Sequence, residues 1–143
     1  MLSLSCKAAI KSVIYLGSIS DTARNAGIKE IASYINENEH TVGKLLQKLV
    51  KGHVIHSIKG PNGGFFMTPE QKNQPIINII QTIDGKEVFH HCGLGLSKCN
   101  ASHPCPLHND FKPIRDNFER MCYEKKINDL YENVNKGLAY LIG

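Results

Sequence analysis

One short segment in the second half of the chain holds residue types that bind soft metals. From Cys92 to His108 the sequence reads CGLGLSKCNASHPCPLH, with three cysteines and a closing histidine among Gly, Asn, Ser and Pro residues. Thiolates and imidazoles are the ligands of iron–sulfur clusters, zinc and Cu(I). The candidate ligands are Cys92, Cys99, Cys105 and His108. We therefore predict that this loop is a metal or redox site.

The spacing of these residues favours some kinds of metal or redox site over others but does not select one. C-x6-C-x5-C-x2-H lacks the C-x2-C pair of a zinc ribbon, so an iron–sulfur cluster is favoured over zinc. Three bare thiols that cycle through disulfides are the third possibility. Three other histidines, His90, His91 and His103, flank the loop as well. The residues alone therefore leave the fourth ligand open.

Length, charge and hydropathy restrict the class of protein. A chain of 143 residues fits one domain of ~100–200 residues, and the net charge of +4 permits nucleic-acid binding without requiring it. No apolar run approaches the ~18 residues of a membrane span. The first apolar stretch contains Lys7 and Lys11, unlike a signal peptide. We expect a cytoplasmic protein, in which clustered cysteines more often bind metal than form disulfides.

The elements ahead of the loop have the order of a DNA-binding module. Apolar spacing predicts helices over 4–19, 28–35 and about 39–51, with Asn38 as the N-cap of the third and Gly52 ending it. Two β-prone segments, VIHSI and GFFMT, follow and are joined by KGPNGG, which predicts a hairpin. Three helices followed by a hairpin are typical of a winged helix-turn-helix.

The third helix has an apolar stripe and an opposite polar, basic side, on which we also place Gly43. Recognition helices of this motif enter the major groove and meet base edges and phosphates. The predicted DNA-binding residues are His40, Thr41, Lys44, Gln47, Lys48 and Lys51 on the helix, with Lys59 and Asn62 on the wing. A dimer of such modules predicts a palindromic operator in double-stranded DNA, with half-sites about one helical turn apart.

The segments around and after the loop predict helices that support the site. A short helix from Pro75 to Asp84 extends the core. Spacings of three, four and three residues then mark an a/d coiled-coil seam, which predicts a homodimer; the alternative is that this stripe packs on its own domain. The seam residues are Phe111, Ile114, Phe118 and Met121, with Arg115, Asp116, Glu119 and Arg120 flanking them. Pro113 marks the first turn or kinks a longer helix. The segment from Ile127 to Ile142 is predicted to fold back onto the dimer helix.

These features together resemble a known family. The segment LLQKLVKGHVIHSIKGPNGGFFM, the helix ending IIQTIDG, and the three cysteines with His108 resemble the bacterial winged-helix regulators of the Rrf-two (Rrf2) family, which includes IscR, NsrR and CymR. The ligand pattern is most similar to that of IscR-type members. The resemblance implies thiolate ligation by Cys92, Cys99 and Cys105, imidazole ligation by His108, and a [2Fe–2S] cluster.

The sequence also departs from the family pattern. The first gap between cysteines is six residues, where five are expected for the IscR type. NsrR-type members use an acidic residue of the first helix as fourth ligand, whereas the stretch from Cys6 to Ile10 has none, which leaves Cys6 as a second choice behind His108. Thr41-Val42-Gly43 replaces the Tyr-Leu-Glu run of the IscR type, so its operator cannot be carried over.

The sequence therefore predicts a mainly α protein with a small β-hairpin (α+β). We divide it into a winged helix-turn-helix (1–70), a connecting helix with a cysteine-rich sensor loop (71–109) and dimerisation helices (110–143). The predicted function is a homodimeric transcriptional regulator, a repressor, controlled by an iron–sulfur cluster or by redox state. A metal-free thiol or partner sensor and a zinc protein are the alternatives. A small redox enzyme is disfavoured, because there is no nucleotide-binding glycine loop, nucleophile elbow or C-x-x-C pair.

Overall fold

The computed structural model describes residues 2–142, and helices make up most of it. In chain order the elements are α1 (Leu4–Ile19), α2 (Ile28–Ile35), α3 (Glu39–Lys51), β1 (His56–Ile58), β2 (Gly64–Phe66), α4 (Pro69–Lys72), α5 (Ile77–Asp84), α6 (His108–Glu124) and α7 (Ile127–Asn135). Single 3-10 turns cover Ser20–Thr22 and Lys86–Phe89. The mainly α class with a small antiparallel hairpin is confirmed. No helix within residues 2–142 is long and apolar enough to cross a membrane.

The first three helices have the bounds that apolar spacing predicted. The side chain of Asn38 accepts hydrogen bonds from the backbone N–H groups of His40 (2.9 Å) and Thr41 (3.2 Å), which makes it the N-cap of α3. The apolar stripe of α3 is buried against α1 and α2. Its opposite side is therefore free to face a partner.

Two glycines of α3 have roles that differ from the expected ones. Gly43 is buried rather than on the polar side, because α2 crosses there: a Cβ would lie 3.4 Å from Cδ1 of Ile28. Gly52 ends α3 with φ −81°, so it does not serve as a left-handed cap. A Cβ on Gly52 would lie 2.8 Å from the side chain of Thr82, so the missing side chain allows α3 to approach α5. His53 takes the left-handed conformation, with φ 59°.

The wing is a short hairpin with a third segment beside it. Its pairs are His56–Phe66, Ser57–Phe65 and Ile58–Gly64. The strands are shorter than predicted, because Val54 and Ile55 are buried in the core before β1 begins. The Ala26 N–H donates to the Phe65 carbonyl (3.0 Å), and the Phe65 N–H donates to the Ala26 carbonyl (2.8 Å). The loop between α1 and α2 thus supports the wing.

A short helix, α4, was missed in the sequence. Thr68 and Gln71 form a capping box: the Gln71 N–H donates to the Thr68 hydroxyl (3.2 Å) and the Thr68 N–H to the Gln71 side chain (3.0 Å). The pattern T-P-x-Q, with Pro69 at the first helical position, is the signal that identifies it. The next helix, α5, begins two residues after Pro75, and its buried isoleucines extend the core as predicted.

The last helix packs in a different place from the predicted one. α7 lies against α1, not on α6, and it ends at Asn135 instead of continuing to Ile142. The reason is Gly17, whose missing side chain leaves space for the ring of Tyr131. Residues of α1, α5, α6 and α7 share one hydrophobic core. Pro113 lies inside α6, which agrees with the kinked-helix alternative for this proline.

Gly17 and Gly43 give a matched test of this packing, since both lie inside helices and a change to Ala raises the helix propensity of both. Gly17→Ala places a Cβ 2.3 Å from the Tyr131 ring, and we expect it to lower the free energy of unfolding by about 1–3 kcal/mol. Gly43→Ala meets only ordinary contact and should leave stability unchanged or raise it by up to ~1 kcal/mol. Urea unfolding followed by circular dichroism measures both; equal effects would contradict the packing of α7 on α1.

Candidate metal centre and nucleic-acid interface

The cysteine-rich loop is held at both ends by elements that pack on the core. It leaves the 3-10 turn at Lys86–Phe89, whose Phe89 is buried and lies 5.7 Å, between ring centroids, from Phe118 of α6. It ends at His108, the first residue of α6, whose N–H donates to the Cys105 carbonyl (3.0 Å). The loop thus connects the turn beside α5 to the start of α6, and its two ends are fixed relative to each other.

One contact joins a thiol to the imidazole at the start of α6. The sulfur of Cys99 lies 3.3 Å from Nδ1 of His108. His108 is only 9% exposed, while Cys99 is half-buried. Burial and contact with a cysteine distinguish His108 from His90, His91 and His103, which are exposed. Of the four histidines of this region, His108 is thus the one whose ring is held against a predicted ligand.

The other two cysteines of the loop are neighbours. The Cys105 side chain lies near enough to the Cys92 thiol to affect its pKa. The backbone N–H of Leu94 donates to the Cys92 sulfur at 3.4 Å. This bond, with others from the Leu96 backbone and from Cys105, lowers the pKa of the Cys92 thiol. Backbone N–H groups pointed at the sulfur favour the thiolate, which is the form that binds metals.

The four predicted ligands therefore lie in two pairs, Cys99 with His108 and Cys92 with Cys105. Within residues 2–142, no three His, Cys, Asp or Glu side chains are close enough together to surround a single metal ion. In each pair, a cysteine from earlier in the loop (Cys92 or Cys99) lies beside a residue from its last part (Cys105) or from the start of α6 (His108). The loop and the start of α6 thus supply four donors of the right chemistry, arranged as two pairs.

The remaining cysteines are not part of this loop site. Cys6 and Cys122 are fully buried in the core. Burial, followed by the nearby Asp84 carboxylate, raises the pKa of Cys6 to about 12, and burial raises that of Cys122 to about 11. Cys6 is therefore a small hydrophobic core residue, and this burial favours His108 over Cys6 as the predicted fourth ligand.

Arg115 is a residue beside the loop whose burial the sequence analysis did not predict. It was expected among the charged residues flanking the seam, and it is only 5% exposed. Its Nη1 donates to the His91 carbonyl at 2.7 Å, directly before Cys92. The signal was available in the spacing, because the buried residues His108, Arg115 and Cys122 follow one another at intervals of seven and so share one face of α6.

The predicted DNA-binding residues of α3 all lie on its exposed side. They are His40, Thr41, Lys44, Gln47, Lys48 and Lys51. None of the ion pairs among residues 2–142 involves a lysine of this group. Lys59 and Asn62 are exposed on the wing, where the side chain of Asn25 donates to the Asn62 carbonyl (3.2 Å). Their role in binding DNA stays a prediction.

Comparison with known proteins identifies the family. A family model described as "Rrf2: Iron-dependent Transcriptional regulator" matches residues 2–133. The chain belongs to the Rrf2 family. It is a transcriptional regulator and not an enzyme.

Individual members of the Rrf2 family match along almost the whole chain. A putative HTH-type transcriptional regulator of Aquifex aeolicus (strain VF5) is 27% identical over 132 residues, covering 91% of this chain and 90% of that protein. The fold is that of CymR, the global cysteine regulator of B. subtilis (TM-score 0.73, 19% identity, 92% of this chain and 96% of that one). T. potens IscR is also similar (TM-score 0.72, 14% identity, 98% and 92%).

In this Rrf2 protein the four predicted seam residues differ in burial: two pack within the chain and two are exposed. Phe118 packs on Phe89, and Phe111 packs on Gly93 of the loop, so both aromatic rings are used within the chain. Ile114 and Met121 are 58% and 42% exposed. Leu107, one heptad before Ile114, is 42% exposed and was not predicted. Self-association through this outer side of α6 stays a prediction.

The burial of the cysteines predicts two classes of thiol. Cys6 and Cys122 should react with iodoacetamide in the native, metal-free protein at least about tenfold more slowly than Cys92, Cys99 and Cys105, because their raised pKa and burial suppress the reactive thiolate. Mass spectrometry of peptides over a time course at neutral pH measures each site. In urea all five should react alike. Fast native labelling of Cys6 would contradict its place in the core.

Proposed function

We propose that this Rrf2 regulator acts as a homodimer whose affinity for double-stranded DNA is controlled by a [2Fe–2S] cluster, held by Cys92, Cys99, Cys105 and His108. The observation that carries the proposal is the arrangement of these residues in two pairs. A [2Fe–2S] cluster takes two protein ligands on each of its two irons, and histidine can replace cysteine in such sites. A structural zinc ion takes four donors around one centre. Two pairs therefore support the binuclear group.

The surroundings of the pairs also suit such a group. Backbone N–H groups at Cys92 favour a thiolate, and His108 is held against Cys99 before any metal binds. When bound, the cluster would supply a crosslink between the loop and α6 that iron supply and oxidants can remove. Hydrogen bonds to the sulfurs and the degree of exposure set the reduction potential of such clusters. The loop supplies the backbone N–H groups for such bonds and determines how far the sulfurs are exposed.

The position of the loop explains how this site would control DNA binding. The turn at Lys86–Phe89, from which the loop starts, packs on α5, and α5 packs on α3. The loop ends at α6, whose outer side offers Leu107, Ile114 and Met121 to a second copy. Ligation of both pairs fixes α6 relative to the core that carries α3. In a dimer built on α6, this fixes the separation of the two recognition helices.

A metal-free thiol switch is the second candidate, and the position of Cys105 near Cys92 favours it. Oxidation of these two thiols to a disulfide would release two protons and pass two electrons to an oxidant of the peroxide class. The same loop would then respond to oxidation without a cluster. If a protein with all three loop cysteines changed to Ser regulated as the wild type does, neither a cluster nor a disulfide would be needed. Partner binding would then be the remaining role of the loop.

The cofactor is tested by purification under anaerobic conditions. We expect a coloured protein with two iron and two sulfide per chain, as a [2Fe–2S] cluster requires, and we expect His108→Ala to lose the cluster faster in air while Cys105→Ser does not assemble it. His103→Ala is the matched control and should behave as wild type. A colourless protein with stoichiometric zinc would refute the cluster, as would a colourless metal-free protein that forms a disulfide.

The DNA-binding surface is tested by charge reversal on α3. Lys44→Glu with Lys48→Glu should abolish retention of duplexes that the wild-type protein selects from a random pool, because both positions would repel phosphates. Lys7→Glu with Lys136→Glu changes the net charge equally on exposed residues outside α3 and the wing, and it should cause a much smaller loss. Equal retention by the two double variants would refute the assignment of α3.

A further inference from the structure

We propose that Arg115 is the counter-charge of the metal–thiolate site, and that through it the charge of the site acts on α6. This inference rests on the proposed function and adds a residue that the ligand set does not contain. Arg115 lies near the middle of α6, next to the exposed Ile114, with its side chain directed inward to the base of the loop. It thus joins the loop to the helix that we propose as the dimer contact.

Arg115 forms no ion pair within residues 2–142. Its Nη1 donates to the His91 carbonyl, but its Nε is buried and has no hydrogen-bond partner among the described residues. The Asp116 carboxylate is near enough to interact with the guanidinium, but Asp116 is exposed and pairs with Lys112. A guanidinium stays charged at every accessible pH, and burial without a close opposite charge is unfavourable. A negative charge on the buried side of the guanidinium would therefore stabilise this part of the structure.

A cavity beside the guanidinium shows where that anion belongs. The cavity has a volume of about 300 Å³ and is lined by Val88, His91, Cys92, Gly93, Phe111 and Arg115. Its one thiol is that of Cys92. No carboxylate lines the cavity, so the negative charge that the described residues can provide there is a thiolate, alone or as part of a metal site.

The charge of a ligated site matches this requirement. Three thiolates carry three negative charges, one more than the positive charge of an oxidised [2Fe–2S] core, and His108 as a neutral ligand adds none. The site is therefore anionic, and uptake of one electron makes it more so. A fixed positive charge stabilises the more negative state more strongly. Arg115 should consequently raise the reduction potential and slow the loss of the ligated state.

A purely structural role makes different predictions, which two substitutions separate. Arg115→Gln keeps a donor for the His91 carbonyl but removes the charge. Arg115→Lys keeps the charge but loses the planar guanidinium. If the hydrogen bond to His91 is what matters, Gln should substitute about as well as Lys, since both carry N–H donors; if the charge matters, Lys should substitute better than Gln. Arg120→Gln removes an exposed charge from the same helix and is the matched control.

The test is a redox titration of the cluster-loaded dimer, together with thermal unfolding of the metal-free protein. We expect Arg115→Gln to lower the equilibrium constant for reduction about tenfold, which is about 59 mV for one electron, with Arg115→Lys and Arg120→Gln close to wild type. In the metal-free protein, Arg115→Gln should unfold at the same or a higher temperature, because it removes an unpaired buried charge.

One result would overturn the inference, and another would overturn more than that. An unchanged potential in Arg115→Gln would overturn it, and a lower unfolding temperature of the metal-free variant beside that result would assign Arg115 to packing alone. A wild-type protein that holds no iron and sulfide would refute the proposed function, and the inference about Arg115 would fail with it. The metal content of the wild type therefore tells the two failures apart.

Discussion

The contact between the Cys99 sulfur and the His108 imidazole connects the loop to the helix that follows it. Without it, a segment rich in Gly, Ser and Pro has few constraints between the turn at Lys86–Phe89 and α6. With it, the loop closes over the start of α6, and Cys105 is brought beside Cys92. In the same part of the structure Phe111 packs on Gly93, and the buried Arg115 donates to the His91 carbonyl.

Packed elements connect the cysteine-rich loop to the recognition helix α3. α6 meets α5 and the turn before the loop, α5 meets α3, and α7 returns to α1 through Tyr131 and Gly17. The recognition helix α3 and the ends of the loop are therefore connected through packed elements, and a change at the loop would be transmitted by them instead of by a flexible linker. Packed interfaces switch between discrete arrangements, which suits a regulator with a bound and a released state.

Much of this could be predicted from the sequence, where local chemistry decides the structure. Asn38, the apolar stripe of α3 and the glycines of the wing specify their elements through short-range capping, periodicity and turn geometry. The failures involve tertiary partners. Whether Gly43 faces solvent depends on where α2 crosses, and whether α7 packs on α6 or α1 depends on the space at Gly17. The seven-residue spacing of His108, Arg115 and Cys122 indicates a shared face of α6, but the residues of the preceding turn and loop that Arg115 meets there come from a distant part of the sequence.

The central claim is that the state of the loop site sets DNA affinity. It is tested most directly on one preparation, assayed for binding to its selected duplex before and after its iron and sulfide are removed by a chelator, with the fraction of dimer monitored in parallel. The account predicts a change in Kd of about 5- to 150-fold, the usual range of coupling between two sites, with dimer content constant. Equal Kd values for the loaded and stripped dimer would contradict it.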